Sequence, residues 1–327
     1  MEYEIDYIPV GQGEKGGDAI TFRYWDPSYP ENQTVVVIDG GTKESGMALV
    51  DHIKRYYGTT YVDLVIASHL HQDHVSGLSE VIENLTVDEL AMHLPWDHVG
   101  KAKSHKSIAS VSDLHGLAVS NGVNVVQKFQ GDWLIDGTFR LLGPSREFYK
   151  EQLDAEDSFV RSVAREVTKW IHETLDQESE TLSDDYPDTS PANNSSKVML
   201  LELNEKKFLF TGDAGKTALG EAIAYSNNVG IDLKNIYFLD VPHHGSKRNL
   251  GKSILDHLRP QQAFISCPQD GDPTHPSRGV VNALIRRDCA PCTTRKGNAI
   301  RTSSPGAPSR EGWGPIDPET FFPQVED

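Results

Sequence analysis

No stretch of this 327-residue chain approaches the ~20 consecutive apolar residues that a membrane span needs, so no membrane partner is expected. The opening MEYEIDYIPV has neither the basic start nor the apolar segment of a secretory signal, and the expected compartment is the cytoplasm. Cysteine is scarce. Three residues, Cys267, Cys289 and Cys292, cannot form a fully paired framework, and Cys289-Ala-Pro-Cys292 has no second Cys or His pair to complete a zinc site. A reduced cytosolic pair fits it. Positive charge is also in deficit, with 31 Lys and Arg against 48 Asp and Glu, a net charge of −17. Gripping duplex DNA over a long footprint needs a basic face, because phosphate contacts supply most non-specific affinity. The balance therefore points to a small, or only locally contacted, substrate, with bound divalent metals offsetting charge where they sit.

Histidine, by contrast, is concentrated. Residues 68–77 read SHLHQDHVSG, with His69, His71, Asp73 and His74 inside six positions. The preceding Leu64-Val65-Ile66-Ala67 reads as a buried strand and residues 77–82 as the start of a helix, so the cluster lies on a strand-to-helix loop facing a cleft. His69 and His71 can point to one side of that loop while Asp73 and His74 turn to the other. Imidazole and carboxylate together suit zinc, manganese or iron, and two metals ~3.5–4 Å apart form a hydrolytic arrangement.

The rest of the chain alternates strands and helices. Strands are expected at 3–10, 19–25, 34–38, 90–94 and 123–129, with a hairpin over 133–142 turning at Asp136-Gly137. A long amphipathic helical pattern covers 146–176, and the stretch 176–196, rich in Asp, Glu, Ser, Asn and Pro, reads as a mobile acidic loop. A second strand group starts at 197–203 and 207–210, runs into Thr211-Gly212-Asp213, and continues with 236–241 and 263–266. Helices are expected at 47–57, 217–225, 253–258 and 277–287, and the segment from 305 reads as irregular. Each half delivers polar residues at its strand ends, which predicts a four-layer α/β sandwich with one site between two sheets. The expected division is a domain over 1–300 carrying a helical and acidic insertion at about 146–196, then an irregular tail over 301–327.

His69-Leu70-His71-Gln72-Asp73-His74 matches the HxHxDH motif of the metallo-β-lactamase superfamily, and Thr211-Gly212-Asp213 resembles that family's later, metal-bridging aspartate. Val241-Pro242-His243-His244-Gly245-Ser246 resembles the PHHGS motif of the hydrolase domain in ComEC-type DNA-uptake proteins. So do Val10-Gly11-Gln12-Gly13…Asp18-Ala19-Ile20 and Ile265-Ser266…His275-Pro276. The resemblance covers about residues 3–290, the segment 146–190 excepted. It implies an αββα fold, two divalent ions (zinc or manganese) and hydrolysis of a phosphodiester or related bond. The membrane spans of the uptake proteins are missing here. The superfamily's usual third-motif histidine also has no counterpart; Asn193-Asn194-Ser195-Ser196 stands at the matching hairpin.

The resemblance implies that His69, His71 and Asp213 hold the first ion, and that Asp73, His74 and one residue of the PHHGS loop hold the second. Either His243 or His244 can be that ligand. The expectation taken forward makes His243 the ligand and His244 catalytic, with Asp73 and His275 also in the catalytic set. The non-ligand of the histidine pair would stabilise an oxyanion or protonate the leaving group. His275-Pro276 precedes a helix whose backbone N–H groups could take a phosphate. Asp39, at a strand end, either orients a ligating histidine or forms an Asp-Gly turn. Lys247 and Arg248 are the candidate local basic patch, and His93, Trp96, Asp97 and His98 form a rim-like loop. The leading function is a soluble phosphodiesterase or nuclease acting on DNA or a nucleotide through a metal-activated water. A lactonase- or thioesterase-type hydrolase and a non-catalytic metal-binding subunit of a larger complex, with a protein partner, are the alternatives.

Overall fold

The computed structural model describes residues 1–11, 16–98, 106–135, 137–156, 181–268, 275–313 and 316–322. The chain starts with three antiparallel strands, β1 (Glu2–Tyr7), β2 (Ala19–Trp25) and β3 (Thr34–Gly40), rich in the β-branched and aromatic residues that pack well on a pleated surface. Ile5 faces Phe22 and Phe22 faces Val36, which fixes the register. Helical crossovers then lead to β4 (Tyr61–Ile66), β5 (Thr86–Ala91) and β6 (Asn124–Val126), each parallel to its neighbour. The helices Lys43–His52, Leu78–Asn84 and Lys106–Ser120 lie in these crossovers.

A second sheet begins with β7 (Trp133–Ile135), β8 (Phe139–Gly143), β9 (Val198–Leu203) and β10 (Lys206–Phe210), all antiparallel neighbours. It continues in parallel with β11 (Phe238–Asp240), β12 (Gln262–Ile265) and β13 (Cys292–Thr293), linked by the helices Lys216–Asn228, Lys252–Leu258 and Arg278–Ile285. β14 (Ile300–Ser303) returns to the first sheet and pairs with β1. The sheet orders are β14-β1-β2-β3-β4-β5-β6 and β13-β12-β11-β10-β9-β8-β7. The two sheets, flanked by helices, make the expected four-layer αββα sandwich.

Three apolar layers follow. Between the sheets, Phe22 stacks on Phe210 at 5.6 Å and Tyr7 meets Phe264 edge-on at 5.3 Å. Such pairs contribute about 0.5–1.5 kcal/mol each beyond their buried area. Outside the first sheet lie Leu49, Ile53, Leu78, Val81 and Leu114; outside the second lie Leu219, Leu255, Val280 and Leu284.

Three expectations change. Residues 301–303 do not belong to an irregular tail: with Ile300 they form an edge strand, and beyond it the guanidinium of Arg310 binds Asp6 at 2.7 and 2.9 Å. Burial of Asp6 demands that partner. The acidic stretch is irregular over 181–190 but turns into the helix Pro191–Asn194, and Asn193 and Asn194 are buried. Its Asp188 accepts hydrogen bonds from the N–H groups of Lys216 (2.9 Å) and Thr217 (3.1 Å), placing an anion at a helix N-terminus. Third, His93 is buried rather than on a rim: its ring stacks on Phe129 at 4.6 Å and its Nε2 lies 3.0 Å from the carbonyl of Lys128. The helix expected beyond residue 156, the acidic residues before 181 and the turn residue Asp136 lie outside the described residues. Residues 146–156 are helical. Among the described residues no helix is long and apolar enough to cross a membrane.

Candidate metal centre

The carboxyl ends of β3, β4, β10, β11 and β12 are the source of nearly every polar side chain in the cleft. Ligands of α/β sheets bind at such strand ends because the chain leaves regular pairing there and can aim side chains outward. β3 ends at Asp39, β4 leads through Ser68 to the histidine cluster, and β10 leads to Asp213. β11 leads to His243 and His244, and β12 to Ser266.

Asp39 organises the first group. Its Oδ1 accepts from the Ser68 N–H at 2.8 Å and its Oδ2 from the Ser68 hydroxyl at 2.5 Å, while His74 Nδ1 lies 2.8 Å from Oδ2. A carboxylate can only accept, so His74 carries a proton on Nδ1 and turns Nε2 inward. That Nε2 lies 3.4 Å from Asp213 Oδ1. His69 Nδ1 meets the Ser68 hydroxyl at 3.0 Å, and its Nε2 lies 3.5 Å from Asp213 Oδ2 and 2.9 Å from His71 Nδ1. Ligand atoms of His69, His71 and Asp213 all lie within 4.8 Å of one another, as do those of Asp73, His74 and His244.

The PHHGS loop is strained where it approaches these groups: His243 (φ 48°) and His244 (φ 55°) both occupy the left-handed region, which costs of order 1–3 kcal/mol per residue. His244 Nδ1 lies 2.9 Å from the Ser266 carbonyl, so this nitrogen donates and Nε2 keeps its lone pair. His243 instead sits at the mouth, its side chain 29% exposed, with Nε2 3.7 Å from Asp213 Oδ2. Its Nδ1 is held 2.9 Å from Asn249 Oδ1, and Asn249 Nδ2 also donates to the Asp213 carbonyl at 2.7 Å. The His275 ring lies 5.6 Å from that of His243. The structure therefore brings all eight sequence-predicted site residues together: His69, His71, Asp73, His74, Asp213, His243, His244 and His275.

Electrostatics favour neutral imidazoles at His69, His71 and His244. Burial pushes the pKa values of His69 and His71 below the ordinary range, and that of His244 down to about 3. Burial opposes ionisation of Asp213, yet His243, His74 and His69 outweigh it and hold its carboxyl well below the usual range. His74 behaves oppositely. Burial disfavours its charge, but Asp213 and Asp39 raise its pKa well above the ordinary value. The fit to metal is tested by two buried atoms that have no hydrogen-bond partner, His74 Nε2 and Asp213 Oδ1. With His74 neutral the two atoms present facing lone pairs that a cation would satisfy, and in its absence the raised pKa of His74 puts a proton there. The residues fit the group.

Several supporting residues escape sequence reasoning. Asp240 accepts the Tyr7 hydroxyl at 2.8 Å and the N–H groups of Thr211 (3.0 Å) and Gly212 (3.2 Å), which sets the loop carrying Asp213. Lys197, fully buried, donates from Nζ to the Ala67 carbonyl at 2.8 Å and from its backbone N–H to the Ser68 carbonyl at 2.9 Å. These bonds clip the second sheet to the strand end that presents the histidines. A strand-end Asp and a lysine opening a strand carry no distinguishing local signal. The candidate basic patch is engaged at home: Arg248 donates to the Asp188 carbonyl at 2.8 Å, and Lys247 lies over the Tyr186 ring at 5.0 Å. Trp96, 37% exposed, meets His115 edge-on at 5.6 Å.

A family model described as "Metallo-beta-lactamase superfamily" matches residues 31–269. ComE operon protein 3 of Bacillus subtilis (strain 168) is 23% identical over 315 residues, 92% of this chain and 33% of that protein. The chain thus spans about a third of the length of this curated relative. Solved structures with a similar course include a CmlA beta-hydroxylase mutant (13% identity, 92% of this chain and 54% of that one, TM-score 0.47). A diphosphatase from the PhnP family (12% identity, 93% and 99%, TM-score 0.44) also aligns. So does Zn(2+)-bound PqqB from Methylobacterium extorquens (9% identity, 91% and 99%, TM-score 0.43).

Proposed function

The chain belongs to the metallo-beta-lactamase superfamily, and from that membership we propose that it is a dinuclear metal-dependent phosphodiesterase or nuclease acting on DNA or a nucleotide. The family and the His/Asp groups support a metal-dependent hydrolase. The finer reading rests on one observation. Two sets of donors lie side by side, His69 and His71 in one and Asp73, His74 and His244 in the other, and Asp213 offers one oxygen toward each.

His69, His71 and Asp213 would hold the first ion, and Asp73, His74 and His244 would hold the second, with Asp213 beside both groups. This reverses the expected roles of the PHHGS pair. His244 is buried, its proton fixed on Nδ1 by the Ser266 carbonyl and its Nε2 accepting from the Gly17 N–H at 3.3 Å, whereas His243 is more exposed. His243 and His275 are assigned to the substrate, where they bind phosphate oxygens and deliver a proton to the leaving oxygen. When bound, two divalent ions, zinc or manganese, supply Lewis-acid polarisation and a water acidic enough to ionise near neutral pH. The chain's own work is positional. Asp39 and Ser266 set the imidazole tautomers, and such supporting contacts tune metal affinity. The resemblance to ComEC-type hydrolase domains favours a nucleic-acid or nucleotide substrate, and the net charge of −17 favours local contact with it. A cytoplasmic location belongs to the same reading.

Hydrolysis of labelled single-stranded DNA, duplex DNA, a cyclic dinucleotide and a chromogenic phosphodiester, in Mn²⁺ and in Zn²⁺, tests it. Cleavage of any of these that is abolished by chelation and restored by metal supports the reading. Inactivity on all four beside turnover of a lactone or thioester would overturn it.

A further inference from the structure

We propose that the helix-covered face of the second sheet carries a binding surface for a single-stranded nucleic-acid backbone, and that the acidic loop 181–190 lies on it as an internal competitor which the strand must displace. The choice of partner rests on the phosphodiesterase reading above. The surface and the loop lie outside the metal centre.

The loop is held down by borrowed helix caps. Lys216–Asn228 follows Gly215 and Lys252–Leu258 follows Gly251, and neither glycine has a side chain to accept from the first N–H groups of its helix. The loop supplies both caps. Asp188 accepts from the N–H groups of Lys216 at 2.9 Å and Thr217 at 3.1 Å. Asp184 accepts from the Ser253 N–H at 3.2 Å and from its hydroxyl at 3.0 Å. A Cβ on Gly215 would overlap the Asp188 carboxylate, and one on Gly251 that of Asp184, so each glycine leaves room for a carboxylate arriving from a distant segment.

Beneath the loop is a group of cations. Lys216 Nζ donates to the carbonyls of Asp184, at 2.7 Å, and Tyr186. Arg248 donates to the Asp188 carbonyl at 2.8 Å, and Lys247 lies over the Tyr186 ring at 5.0 Å. Capping needs only the two carboxylates and does not require three cations to gather on the loop. Their contacts here are to neutral carbonyls and a ring, whereas phosphate oxygens would make charge-assisted bonds roughly twice as strong. Lys252 extends the surface, for it lines a cleft of about 780 Å³ with Arg259, Arg286 and Arg287. The cleft also holds Asp288 and Asp256, which pairs with Arg287 at 2.8 Å. At its other end the surface reaches the metal centre. Arg248 precedes Asn249, whose Oδ1 lies 2.9 Å from His243 Nδ1, and the loop runs on to Asn193, whose Nδ2 lies 3.2 Å from the same nitrogen. In a chain of net charge −17, this grouping gives a phosphate backbone its local contact, and the three aspartates of the loop compete for it.

The test is binding of a fluorescein-labelled oligo-dT to the full chain, read by anisotropy in EDTA so that hydrolysis plays no part. Asp184→Asn/Asp188→Asn keeps side chains that accept the same hydrogen bonds and removes the charge that holds the loop at the helix ends. It should bind at least ~10-fold more tightly than wild type, because apparent affinity scales with the fraction of molecules in the open state. Log affinity against log salt should have a slope of about −3, roughly 0.7 for one phosphate on each of Lys216, Lys247, Arg248 and Lys252. Lys216→Gln/Arg248→Gln in the same background should abolish the gain. Amide exchange over 181–190 should rise when wild type is saturated with the oligonucleotide. Asp51→Asn/Glu83→Gln makes the same change of net charge on the helices of the first sheet, where screening across the sandwich should leave affinity nearly unchanged. An equal gain in that control, no gain in Asp184→Asn/Asp188→Asn, or a loop that stays protected with DNA bound overturns the inference. So does an equal gain for poly-glutamate, which would assign the surface to an acidic protein. Asp184→Asn alone is read in the same way if the double variant does not fold. A gain in affinity beside inactivity on every phosphodiester overturns the hydrolytic reading and leaves the surface standing.

Discussion

His74 Nε2 lies 3.4 Å from Asp213 Oδ1, and neither buried atom has a hydrogen-bond partner. Asp39 holds one His74 proton on Nδ1, so a neutral His74 turns a lone pair on Nε2 toward the Asp213 oxygen, while a charged one turns a proton there. A proton or a metal cation joins the pair, and a metal ion competes for the position with the His74 proton. The protein is therefore expected to carry close to two transition-metal ions per chain and to lose thermal stability on chelation, because ligand bound only to the native state stabilises it. Elemental analysis after gentle purification and after reconstitution checks this; saturation at one ion or fewer contradicts it.

Asp213→Ala and Asp73→Asn should each lower chromogenic phosphodiester turnover by more than about 100-fold while leaving the far-ultraviolet spectrum unchanged. Each removes a metal donor and little of the apolar core. Wild-type turnover in either variant would remove that residue from the ligand set.

The two neighbouring histidines should fail differently. His244→Ala should lose the second ion and slow every substrate alike. His243→Ala should keep both ions and slow substrates with poor leaving groups by about 10²–10⁴-fold more than activated ones, since proton delivery matters only where the leaving group needs it. Metal content measured beside rates on an aryl phosphodiester and a dinucleotide separates the two. Indistinguishable profiles would refute the division.

Asp39→Asn should weaken metal binding by about 10–100-fold without removing a ligand, because it frees the imidazole of His74 to rotate and to change tautomer. Metal titration by calorimetry reads this; an unchanged dissociation constant counts against the positioning role.

Lys197 supplies a pH signature. Burial pushes its pKa from 10.5 down to about 7, although Asp39 favours its charge. The folded value is below the unfolded one, so between about pH 7 and 10.5 the unfolded chain holds a proton that the folded chain lacks. Stability contributed by this group therefore rises with pH across that window, by at most about 1.4 kcal/mol per unit, and the penalty is fully present only below it. Lys197→Met removes the titration. In metal-free protein its melting temperature relative to wild type should be higher at pH 7 than at pH 10; an equal offset at both values would be inconsistent with a depressed lysine.

His69, His71, Asp73 and His74 were legible as a candidate metal-binding loop because six consecutive positions carry the signal and an apolar strand precedes them. Asp213, His243, His244 and His275 were marked as candidates by the resemblance of their segments to family motifs, and the first three also follow strand-like runs, where side chains leave the sheet. The alternation of apolar runs and helical patterns determined the layers for the same local reason. Other features depend on distance in space. Which histidine of the PHHGS pair turns inward is decided by the Ser266 carbonyl at the end of a different strand. Asp18 gains its position from glycines that permit contact with Asp73, more than fifty residues away. Asp188 becomes a helix anion and residues 300–303 an edge strand only once distant segments meet. Composition and periodicity report on neighbours along the chain, whereas tautomers, shared carboxylates and buried lysines are set by neighbours that only the closed sandwich supplies.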